Sequence, residues 1–107
     1  MSYDPDPPFS GSWAATLRKV GRGHWQGAAQ ASDKKVLDSL LDAEMDPRWQ
    51  SAGSVDYADP EGGLRGMNFM SDADWYVEWG YEDSERLTID VQRYPIWTSI
   101  GHRLGLP

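Results

Sequence analysis

The carboxylates between residues 72 and 85 are the groups whose types and spacing could do chemistry in this chain. Asp72, Asp74, Glu78, Glu82, Asp83 and Glu85 share one window with Trp75, Tyr76, Trp79 and Tyr81, and with no lysine or arginine. Carboxylates in such density can exchange protons as an acid/base pair, hold a hard cation, or meet a basic surface by charge. With seventeen acids in the chain, no single pair is distinguished for proton transfer. Asp72-x-Asp74 lacks the glycine and the terminal glutamate of a calcium loop. His24 and His102 lie far apart, and cysteine is absent, so neither a zinc set nor a thiolate nucleophile takes shape. Each histidine reads as a surface or capping residue.

Other chemical motifs are missing as well. Gly21-x-Gly23 and Gly62-Gly63 have neither the Gly-Lys-Ser/Thr of a phosphate loop nor the strand-glycine-helix setting of a dinucleotide site, and they read as turns. Ser10, Ser12 and Ser84 lack the Gly-x-Ser-x-Gly context of a nucleophile elbow. The reading therefore assigns no catalytic residue, no metal ligand and no cofactor, and favours a binding protein over an enzyme. Electrostatic binding is the chemistry left standing.

The acids are positioned by alternation. Trp75, Val77, Trp79 and Tyr81 fall on one side of an extended chain, while Asp74, Tyr76, Glu78 and Glu82 fall on the other, the two-residue period of a half-buried strand. Matching inward residues against the next apolar run sets Trp79 opposite Ile89 and Val77 opposite Val91, joined by the turn Asp83-Ser84-Glu85, with Glu82 facing Arg86. The same register puts Glu78 opposite Asp90, and like charges directly across a strand pair cost up to about 1 kcal/mol. Something must meet them. Arg65 on a neighbouring strand is the internal candidate, and a basic partner is the external one. If no internal base reaches the pair, Asp90→Asn is expected to be neutral or slightly stabilising.

These residues belong to a run of strands. Val55–Ala58, Leu64–Met70, Asp74–Glu82 and Leu87–Tyr94 are separated by short turn sequences and predict an antiparallel meander. Upstream, Ser32 as N-cap and the stripe Val36, Leu37, Leu40, Leu41 and Met45 predict a main helix over about 32–46, stopped by Pro47. Trp13 to Val20 fits either a strand or a short helix. Strand is the preferred reading, followed by a hairpin turn at Gly21-Arg22-Gly23 and a return through His24-Trp25-Gln26. Pro95 with Ile96, Ile100 and Leu104 predicts a short C-terminal helix. The fold class expected is α+β, an antiparallel sheet of about four to six strands packed on one main helix.

A chain of 107 residues supports one core. Asp4-Pro5-Asp6-Pro7-Pro8 predicts a flexible arm over residues 1–10, pinned by Phe9, with a single small domain over 11–107. The absence of cysteine is compatible with a reducing compartment. The chain start lacks the basic residues and apolar run of a signal peptide, and no apolar run approaches a membrane span. The expected location is cytoplasmic, with no membrane partner.

The formal charge is −7, concentrated in residues 32–90, where fifteen acids face five bases. Such a surface disfavours direct nucleic-acid binding and suits a basic protein partner, such as a nuclease, deaminase or nucleic-acid-binding effector. Outward acids on a strand recur every ~6–7 Å, near the spacing of phosphates along a nucleic-acid strand, so charge mimicry is part of the same reading. The expected partner-binding residues are Asp74, Tyr76, Glu78, Glu82, Asp83, Glu85, Asp90 and Tyr94. No stretch carries the signature of a known family. In general type, small, acidic, cysteine-free and rich in aromatics, the chain is like toxin immunity proteins and anti-CRISPR proteins, a likeness that carries no residues over. Two alternatives stay open. One is a ligand-binding or enzymatic pocket lined by Trp13, Trp25, Trp49 and Trp97; the other is a self-associating accessory subunit.

Overall fold

The structure, a computed structural model, describes residues 5–58 and 64–94. Among the described residues it is an α+β fold with two helices and a six-stranded antiparallel sheet. The elements run α1 (Ser12–Ala15), β1 (Arg18–Gly21), β2 (His24–Gln30), α2 (Lys34–Glu44), β3 (Ser51–Ala58), β4 (Leu64–Ser71), β5 (Trp75–Tyr81) and β6 (Arg86–Arg93). Strands β3 to β6 form the expected meander. The N-terminal hairpin then adds along β6, giving the order β1-β2-β6-β5-β4-β3. The last strand of the meander therefore becomes an inner strand. The chain carries α2 between β2 and β3, which lie four places apart in that order.

Alternation decides which face is which. Trp75, Val77 and Trp79 on β5, Leu87, Ile89 and Val91 on β6, Trp25 on β2 and Met70 on β4 are buried together with Val36 and Leu40 of α2 and with Trp13. The register of β5 on β6 is the one the sequence predicts, with Val77 opposite Val91, Trp79 opposite Ile89 and Glu78 opposite Asp90. A one-residue slip would turn this whole apolar set to solvent, so burial of the inner face fixes the pairing of the outer one.

Several expectations are corrected. Residues 12–15 form a helical turn rather than a strand: the Trp13 amide donates to Ser39 Oγ on α2, and the Thr16 hydroxyl closes back on the Trp13 carbonyl. The extended segment starts only at Arg18. Asp33, not Ser32, caps α2, its carboxylate accepting from the Val36 amide at 3.2 Å. The apolar stripe of that helix is narrower than its sequence suggests. Val36 and Leu40 are buried and Leu37 half-buried, but Leu41 is 46% and Met45 83% exposed, because they sit a helical step beyond the line facing the sheet. Tyr81, at the end of β5, is exposed where the core tapers. The expected C-terminal helix, residues 1–4 of the arm and Trp97 lie outside the described residues.

Phe9 does pin the arm. Its ring lies 5.3 Å from that of Trp13, 5.5 Å from Trp49 and 5.7 Å from Trp75, with the Arg48 guanidinium 5.0 Å over it. Close packing also explains Gly27 on β2, where a Cβ would collide with Thr16.

Candidate functional site

The outer face of the sheet carries the polar alternates of β2, β6 and β5. His24 and Gln26 of β2 stand opposite Gln92 and Asp90 of β6, which in turn oppose Tyr76 and Glu78 of β5. Phe69 of β4 sits opposite Glu78 on the far side. Around this centre the surface is an open concavity of about 1020 Å³, bordered by Arg18, Met67, Thr88 and Arg86 among others.

Asp90 is engaged by three side chains. Its Oδ2 lies 2.8 Å from His24 Nε2 and accepts from Gln26 Nε2 at 3.0 Å, while its Oδ1 accepts from Gln92 Nε2 at 3.0 Å. Burial works against the charged form, but the hydrogen bonds from His24, Gln26 and Gln92, with the charge of His24, outweigh it and hold the Asp90 carboxyl below its usual range. Asp90 is thus internally paired through His24, so the condition under which Asp90→Asn is expected to be neutral, that no internal base reaches the pair, is not met. The pairing comes from β2, an element whose place beside β6 the sequence does not reveal. The Arg65 side chain lies outside the described residues.

Glu78 is in the opposite position. Burial and the charge of Asp90 push its carboxyl up, and a hydrogen bond with Tyr76 only partly offsets them. The Tyr76 hydroxyl is itself pushed up by burial, by the charges of Glu78, Tyr94 and Asp90 and by its bond to Glu78. Two facing carboxyls are therefore driven apart, Asp90 toward the ionised form and Glu78 toward the protonated one.

Of the remaining expected site residues, Glu82 borders the same concavity and the others lie apart from this centre. Glu82 pairs with Arg86 at 3.2 Å, both well exposed, an arrangement worth little in stability. Asp83 uses its carboxylate to close the β5–β6 turn, accepting from the amides of Glu85 and Arg86. Glu85 is exposed on that same turn. At the other end of β5, Asp74 lies 3.7 Å from the Arg93 guanidinium, and its carbonyl accepts from the Tyr94 amide. The eight residues thus occupy three places: the turn, the sheet centre and the far end. Seven strand residues, or ~23 Å, separate the two ends.

Sequence reasoning missed His24, Gln26, Gln92 and Phe69. The alternation of outward His24 and Gln26 about inward Trp25 is the signal that could have placed the first two on this face.

Of the four tryptophans proposed for a pocket, Trp97 lies outside the described residues. Trp13 and Trp25 are core residues, 1% and 5% exposed, and Trp49 is half-buried with its indole N–H donating to the Ala43 carbonyl. Trp13 and Trp49 border a smaller cleft of about 320 Å³ closed on one side by Phe9. Among the described residues no group of three His, Asp or Glu side chains could hold a metal ion, and no helix is long and apolar enough to cross a membrane. Compared with known protein families, curated proteins and solved structures, the chain matches no family model and no individual protein or structure.

Proposed function

We propose that this is a small cytoplasmic acidic binding protein of the inhibitor type, docking stoichiometrically on a basic protein surface through the outer face of its sheet. One observation carries the reading. Glu78 stands at the centre of an open concave face, pressed by Asp90, with a tyrosine as its hydrogen-bonding partner and Phe69 alongside. A lysine or arginine from a partner would relieve that repulsion, and the aromatic rings flanking Glu78 would cover its stem. Folding leaves a cost that binding removes. The exposed acids of the β5–β6 turn extend the same negative field and speed encounter, in the manner of a nucleic-acid mimic before a nuclease, deaminase or other effector.

The test is capture of host proteins by three forms of the chain. Wild type should retain a basic protein, E78K/E82K should lose it, and D38K/D42K, which changes net charge equally on the far side of α2, should keep it. For the purified pair, E78K/E82K should slow association in a salt-dependent way. Equal effects of the two double variants would reduce the interaction to bulk acidity, and retention by both would move the interface elsewhere.

A further inference from the structure

The two edges of the sheet are built differently. β1 is short, with four residues; it is bulged between Lys19 and Gly21, and it carries Arg18 and Lys19 with Arg22 just beyond. Brevity, a bulge and basic side chains are the usual devices that keep an edge from pairing. β3 has none of them. It runs eight residues, pairs with β4 without a break, and holds no proline, lysine or arginine and a single acid, Asp56. Among the described residues no strand lies on its outer side. About half of its backbone N–H and C=O groups therefore face outward in a regular row.

We infer that β3 is a homodimer interface, at which a second copy of this chain adds its own β3 antiparallel to form a continuous sheet twice as wide. An antiparallel strand pair has a two-fold axis, so one strand can serve as its own complement. Residues directly opposite in such a pair point to the same face, which limits the symmetric registers to those centred on a residue. Centring on Asp56 would oppose two like charges. Centring on Val55 sets this half-exposed side chain, 50% accessible, against its copy and places Ser54 opposite the partner's Asp56, a hydroxyl donor facing a carboxylate. The second register buries the exposed valine of the strand and satisfies its one acid.

Net charge does not forbid the contact. The acidic strand β5 lies two strands in from this edge, so in the dimer the two copies of β5 are five strand spacings, ~24 Å, apart. That is about three Debye lengths at physiological salt. Added salt should leave the dimer unchanged or tighten it. Edge pairing also leaves both outer faces open, so the inference stands independently of the docking reading above.

Sedimentation of the full chain from micromolar to submillimolar concentration tests it, together with amide exchange of β3 at both ends of that range. Wild type should pass from monomer to dimer, with β3 amides slowing as it does. V55K puts a charge on an exposed position and should weaken the dimer at least about tenfold with unchanged circular dichroism and melting. L41K/M45K, on the exposed side of α2, should dimerise as wild type does. A monomer at all concentrations, a V55K dimer of wild-type strength, a loss of dimer in L41K/M45K, or β3 exchange that ignores concentration would each overturn the inference.

Discussion

On the inner side of β5 and β6, Val77 meets Val91 and Trp79 meets Ile89; one residue along, on the outer side, Glu78 meets Asp90. The two sides share a backbone and a register, yet they obey different rules. Inside, the pairs are close-packed and water is gone, so each contributes several kcal/mol of burial. Outside, the pairing is inherited: the carboxylates face each other because the inner residues must. The molecule handles that consequence through a third strand, with β2 bringing His24 and Gln26 to Asp90. A register is chosen by its stronger face, and the weaker face is then adapted to it.

The largest test of this contrast is Trp79→Ala. Trp79 is 5% exposed and packs between sheet and α2, with its buried indole N–H turned toward the Glu44 carboxylate without reaching full hydrogen-bond geometry. Its loss should cost about 3–5 kcal/mol and leave so small a domain largely unfolded in chemical denaturation.

Next comes Asp90→Asn, which keeps the shape but turns an amide donor toward donors. Loss of about 1–3 kcal/mol is expected at neutral pH, read from urea midpoints. The Asp90 carboxyl is held below its usual range in the fold, so its stabilisation is present above the unfolded carboxylate value. It fades as pH falls through the folded one. The penalty of the substitution should shrink over that acidic window, and a penalty constant with pH would mean that charge plays no part.

Glu78→Gln should act the other way and less strongly, stabilising by up to about 1 kcal/mol at neutral pH. The Glu78 carboxyl is pushed up, so the folded state holds its proton to higher pH than the unfolded chain does. The cost of its charge accordingly appears only as pH rises through the folded value. The advantage of the variant should therefore vanish in acid. Destabilisation at neutral pH would show that Glu78 is held by its neighbours rather than strained by them. The smallest effect belongs to Met45→Ala, within about 0.5 kcal/mol, since the side chain is 83% exposed.

The parts legible in the sequence were those governed by neighbours along the chain. Alternation through Trp75, Val77 and Trp79 fixed both the inner face and the partner of Glu78, and Val36 with Leu40 marked the buried line of α2. What stayed hidden was long-range placement. Nothing in residues 24–30 says that they lie beside residues 86–92, so the sequence does not name the base and amides that meet Asp90, and Arg65 is the nearer candidate along the meander. At Trp13 the local pattern was ambiguous between periods of two and 3.6, and the decision came from Ser39, a partner 26 residues away. Leu41 and Met45 read as core because a stripe in sequence shows apolarity, not how wide a face the sheet can cover.

The position of β6 has a kinetic meaning. It is the bridge between the N-terminal hairpin and the meander, pairing His24 with Gln92 and Gln30 with Arg86 across more than half the chain. Loops of that span close slowly, so the hairpin docks late, after the meander has given it an edge. Until then β6 presents a bare edge with the apolar side chains of Leu87, Ile89 and Val91 only partly covered, the kind of surface on which chains aggregate. During synthesis this interval begins only when β6 has left the ribosome, and residues 24–30 wait through the making of everything between. The rate at which β2 finds β6 therefore sets how long the new protein is exposed to its own kind.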